Sequence, residues 1–286
     1  MTIAEERAVP SVGTVISLSW RSCCDAATKM PFTFLTAWIV CLLLPLAQAA
    51  ATAHLKSQVG PWHSNFLTQL TVRGEIIVLT AGLFVVLDVV LASVAITIHR
   101  FILLGEEKSG IFALTRRRTW RFVGWLLFFD VLLIIGHLPI DFSEDNSRRY
   151  NVLYVIYLIV LLIVGGRSMV LFPAVAIDVP SSRWQERLEK SWQETSGRLA
   201  TIVFSYVGSV IPLILVILAA SLIPIIPYFL YAIIGKVDET SLLIEVGVWT
   251  HYFSQTFVEV ASTAAAAAVA SWIYKSARNV SQIADS

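Results

Sequence analysis

The chain has 286 residues, of which 57% are hydrophobic and only 14% charged, with a net charge of +1. Soluble globular proteins carry about 25% charged residues, so this balance excludes an ordinary soluble enzyme or a nucleic-acid-binding domain and points to a protein embedded in a membrane. Three cysteines, Cys23, Cys24 and Cys41, show neither disulfide nor metal spacing and read as small apolar filler.

In chain order, residues 1–30 form a cytoplasmic amphipathic segment. Within it Val12, Val15, Ile16 and Trp20 make an apolar stripe at helical spacing. A six-span transmembrane domain follows over 31–274, with spans near 31–53, 76–98, 122–140, 151–177, 199–231 and 244–274; each approaches the roughly 20 residues that a bilayer requires. The small-residue ending LAQAAATA of the first span is read as part of a retained helix, because the segment before it is too long for a signal peptide. Pro212, Pro224 and Pro227 predict a kink or break in the fifth span. The sixth contains STAAAAAVAS, Ser262 to Ser271, a small-residue surface suited to close helix packing in lipid. Residues 275–286 form a cytoplasmic tail.

Three short phrases, VISLSWRS, LTRRRTWRF and LEKSWQET, introduce the first, third and fifth spans. Each places a tryptophan (Trp20, Trp120 or Trp192) after a Ser or Thr and before a polar residue. Before the fifth span Trp184, Leu188 and Trp192 recur at i, i+4 and i+8 among charged residues, the pattern of an amphipathic helix on a membrane surface. The expected architecture is all-α: a polytopic helical bundle of three hairpins, each with a cytoplasmic amphipathic helix. Trp20, Arg116, Arg117, Arg118, Trp120, Trp184 and Trp192 form the candidate interfacial face.

Basic residues orient the bundle. Of the 21 Lys and Arg residues, only Lys56, Arg73, Arg148, Arg149 and Lys236 fall on one side, so by the positive-inside rule both termini are cytoplasmic. Counting inward from the cytoplasmic ends of these spans places Asp88, Asp130 and Arg167 at roughly 15 Å, near mid-membrane, and Glu259 at roughly 22 Å. An unpaired charge there costs at least about 2.5–3.5 kcal/mol, so Arg167 is expected to pair with Asp88, Asp130 or both. Glu259 has no basic partner at its depth. Such a cluster either fixes how the hairpins pack or lines a polar path.

Catalytic signatures are missing: there is no phosphate-binding loop, nucleophile elbow, HExxH or dinucleotide fingerprint. His54, His63, His137 and His251 fall at the outer face without ligand spacing, and His99 falls at the cytoplasmic side. Neither a metal nor a cofactor is therefore expected. The phrases IHRFILLGE, RSMVLFPAVAID and EKSWQETSGR occur in an order that resembles a group of six-span bacterial inner-membrane proteins related to the membrane domain of glycerophosphoryl diester phosphodiesterase. The resemblance covers most of the chain. It implies a helical bundle in a bacterial plasma membrane and no activity, since the phosphodiesterase chemistry belongs to a soluble barrel for which this chain has no room. The expectation is a non-enzymatic membrane scaffold that contacts lipids and membrane proteins. The alternative is a small transporter or channel with a polar cavity around Asp88, Asp130 and Arg167.

Overall fold

A computed structural model describes residues 10–58, 66–107, 117–141, 147–177, 184–222 and 240–284. Their regular structure is entirely α-helical, as the composition predicts. The elements are α1 (Val12–Lys29), α2 (Pro31–Gln58), α3 (Phe66–Leu104), α4 (Arg117–Asp141), α5 (Ser147–Ser168), α6 (Leu171–Ala176), α7 (Trp184–Glu194), α8 (Leu199–Leu222) and α9 (Thr240–Ala284). Four stretches among the described residues are long and apolar enough to cross a membrane: 31–55 in α2, 74–104 in α3, 199–219 in α8 and 252–278 in α9. α4 and α5 are continuous helices over most of the remaining two expected spans. The end of the fifth expected span, with Pro224 and Pro227, lies outside the described residues.

Local chemistry sets the helix ends. Ser11 caps α1, its hydroxyl accepting from the Thr14 N–H at 3.2 Å. Met30 alone separates α1 from α2, and Pro31 begins α2 where a missing N–H costs nothing. α3 stops at Gly105, whose φ of 70° suits glycine and lets its N–H reach the Phe101 carbonyl at 3.1 Å.

The fourth expected span, 151–177, is not one helix. α5 ends at Ser168, Met169 and Val170 turn, and α6 is a separate buried segment. Pro173 explains the break. It lacks the N–H that would bond the Met169 carbonyl, and its ring collides with that same carbonyl four residues back.

α9, 45 residues long and therefore roughly 68 Å, is the hub of the bundle. It packs against α8, α3, α1, α2 and α6. The alanine run delivers the close packing its composition predicts: Ala264, Ala265, Ala267, Ala268, Val269 and Ala270 are all buried. One apolar cluster joins α2, α3, α4, α6 and α9; a second joins Val15 of α1 to Ile202, Val269, Ile273 and Tyr274.

That second cluster corrects the reading of α1. Part of its apolar stripe is covered by protein, with Val15 fully buried and Ile16 seated on Gly208 of α8, while Val12 and Trp20 stay half-buried. An amphipathic stripe needs an apolar partner, and here α8 and α9 supply it. Trp272 Nε1 donates to Ser22 Oγ at 3.1 Å and fastens α1 to the hub.

Candidate functional site

Asp88 sits on the bundle-facing side of α3, 6% exposed, and α3 packs against α4, which carries Asp130. Asp88 Oδ2 has no hydrogen-bond partner. The two acids that depth counting places level with each other stand on neighbouring helices.

Glu259, expected deeper than Asp88, is brought close to its level by the register of the helices. Nδ1 of His99, on α3, is 2.7 Å from Ser271 Oγ on α9 and ties these two parallel helices in register. Asp88 precedes His99 by eleven residues and Glu259 precedes Ser271 by twelve, so both carboxyls lie roughly 17 Å from that bond. Cys41 is buried on α2, which packs against the helix that carries Glu259. Acids from α3, α4 and α9 thus occupy one level of the bundle. They do not converge on a metal cage: among the described residues no group of three or more His, Cys, Asp or Glu could hold a metal ion.

Arg167 does not join them, contrary to the expected ion pair. Its Nη1 donates to the Trp192 carbonyl at 3.1 Å, its guanidinium lies over the Trp192 ring at 5.9 Å, and Ser191 Oγ donates to the Arg167 carbonyl at 2.6 Å. The cause is the break at Met169. Depth was counted along an uninterrupted helix to Ile177, whereas Arg167 stands in the last turn of α5, where a cation complements the helix C-terminus. Arg167 clamps α7 to the end of α5.

The interfacial set divides in the same way. Arg117, Trp120 and Trp192 are exposed, the tryptophans by 53% and 41%. Arg118, expected at the surface with its neighbours, is turned into the protein and is 8% exposed, because α4 starts at 117 and its 118–119–122–123 side faces the bundle. Trp20 is half-buried on α1, with an unpartnered Nε1. Arg116 and the side chain of Trp184 lie outside the described residues, as do the side chains of His63, His137 and His251.

Two features escaped the sequence reading. His99, expected to face the cytoplasm, is fully buried in the bundle. Ser271 Oγ donates to the Ala267 carbonyl at 2.9 Å, which commits its only proton, so His99 donates from Nδ1. Arg100 binds the Glu106 carboxylate through Nε at 2.7 Å and through Nη2, while its Nη1 donates to the Ala176 carbonyl at 3.1 Å. It thereby pins the exit of α3 to the end of α6. Lys29 pairs with Glu107 nearby, and that carboxylate holds the exposed Lys29 ammonium above its usual range.

Protein-family models, curated proteins and solved structures were each searched, and none matches this chain. The acid layer and the Arg167–Trp192 clamp are therefore read on their own chemistry.

Proposed function

We propose that the chain is a non-enzymatic, multi-pass protein of a bacterial inner membrane, with six spans and both termini cytoplasmic. In this reading its cytoplasmic end contacts lipid headgroups and membrane partners. The resemblance to the six-span membrane-domain group belongs to the same proposal.

One observation carries it: two large exposed tryptophans, Trp120 and Trp192, stand beside cations at one end of the bundle. Arg117 and Arg121 flank Trp120 along α4, and Arg167 lies over Trp192. Aromatic rings with a polar edge favour the headgroup level, and guanidinium groups there bind anionic phosphate. α7, which carries Trp192, is tied to α5 through Ser191 and Arg167, so the surface is fixed to the bundle.

Purification in mild detergent followed by mass spectrometry of bound lipid tests this directly. The wild-type chain is expected to retain anionic lipid, and Arg117→Ala combined with Arg121→Ala and Trp120→Ala is expected to lose most of it at unchanged thermal stability. Equal lipid retention by the triple variant would overturn the reading.

A further inference from the structure

We propose that Arg198 and Arg278, with Lys190 beside them, bind a phosphate monoester where α7, α8 and α9 meet at one end of the bundle.

Helix register brings the two guanidinium groups together. Ile202, in the first turn of α8, packs in one apolar cluster with Ile273 and Tyr274 of α9. From this contact α8 runs forward along α9, and α9 runs back through its buried alanines. The Ile202 N–H bonds the Arg198 carbonyl at 3.0 Å, so Arg198 stands one helical turn before Ile202. Arg278 stands one turn after Tyr274, with its guanidinium over the Tyr274 ring at 4.9 Å. Both arginines therefore lie about 6 Å beyond the same contact and at the same end of the bundle. Residues four apart share a helix face, so each follows the seam between α8 and α9.

Lys190 and Glu194, also four apart, end α7 on one face. The turn that follows is closed by the Arg198 N–H on the Thr195 carbonyl at 3.1 Å, with Gly197 at a φ of 73°. Glu194 is thus the acid of this junction, and Lys190, Arg198 and Arg278 all act on its half-buried carboxyl. The neighbouring cations are engaged elsewhere: Arg167 with Trp192, and Lys275 over the Trp272 ring at 5.0 Å.

Arg198 is the group that asks for a ligand. Its Nη1 is enclosed and has no hydrogen-bond partner, and among the described residues neither Arg198 nor Lys190 forms an ion pair. A guanidinium N–H removed from water without an acceptor is costly. The enclosed edge holds the planar fork in place, while the side chain as a whole is only partly covered and leaves room for an acceptor from outside. Guanidinium forks bind pairs of phosphate oxygens, and an ammonium adds a point contact. Three cations around one carboxylate leave an excess of positive charge. A phosphate monoester, which carries about −1.5 to −2 at neutral pH, offsets that excess more fully than a diester with its single charge.

This site goes beyond the lipid contact proposed for Trp120, Arg117 and Arg121, and it uses none of those residues. Its phosphate is either a lipid headgroup or a free ion.

The test uses the full chain in mild detergent and native mass spectrometry with three probes: short-chain phosphatidic acid, short-chain phosphatidylglycerol and inorganic phosphate. Phosphatidic acid, the monoester, is expected to bind at least about tenfold more tightly than phosphatidylglycerol, the diester. If the site takes a lipid headgroup, inorganic phosphate does not bind; if it takes a free ion, inorganic phosphate binds and competes with the lipid. Both outcomes support the proposal, and both require Arg198→Gln combined with Arg278→Gln to weaken binding by roughly tenfold or more. Should that pair fail to fold, Lys190→Gln on the exposed side of α7 serves instead and must weaken binding severalfold. The variant of Trp120, Arg117 and Arg121 is expected to bind phosphatidic acid as wild type does, so the two lipid readings fail separately. The proposal is overturned if neither phosphatidic acid nor inorganic phosphate binds, if the diester binds as tightly as the monoester, or if the folded variants bind unchanged.

Discussion

Glu194 closes α7 in a half-buried position near Lys190, Arg198 and Arg278. Burial raises its carboxyl above the ordinary 4.5, and the three cations offset that shift only in part. A raised carboxylate means that, just above 4.5, the folded chain holds a proton the unfolded chain has already lost. Glu194 therefore contributes stability at acid pH that is lost as pH rises through its folded value. Glu194→Gln removes the loss: its melting temperature in detergent should exceed that of wild type near neutrality, and the two should converge below about pH 4.5. A variant less stable than wild type at neutral pH would show that the cations, not burial, dominate at Glu194.

At the scale of elements, the informative event is the end of α5. Proline stands at 173, and its physical reach is four residues upstream, to the carbonyl it displaces. That offset moves Arg167 from mid-span to a helix terminus and replaces a carboxylate partner by the backbone and ring of Trp192. Loss of this contact should act on α7 rather than on the bundle. Arg167→Ala is expected to raise amide exchange severalfold over 184–194 and to leave the buried stretch of α9 protected, with Arg167→Lys intermediate because lysine keeps the charge but lacks the planar fork. Exchange rising equally in α9 would mean that Arg167 supports the whole bundle.

The same scale shows what a sequence can and cannot disclose here. Helix identity was legible, since it follows from hydropathy and periodicity. The partner of α1 was not. A stripe of Val15, Ile16 and Trp20 has the same appearance whether headgroups or α8 and α9 cover it, and only the close approach at Gly208 distinguishes them. His99 and Ser271, 172 residues apart, meet through a register between helices that no local pattern records.

For the whole molecule, in the proposed membrane setting lipid removes the usual hydrophobic drive between helices, so assembly rests on packing and on a few polar ties. Those ties concentrate at one end: Lys29 with Glu107, Arg100 with Glu106 and Ala176, and Trp272 with Ser22. Along the rest of its buried length α9 is held by alanine against its neighbours. Ala268 is fully enclosed, and a larger side chain there has no lipid to expand into. Ala268→Leu should cost roughly 1–3 kcal/mol by overpacking. Because α9 contacts α1, α2, α3, α6 and α8 together, the loss should appear as one cooperative fall in melting temperature. Leu158→Ala on α5, where the side chain is 37% exposed, removes as many carbons as Ala268→Leu adds but leaves no sealed void, and should change the melting temperature far less. If the two variants melted alike in mild detergent, α9 would not be the element on which the bundle is assembled.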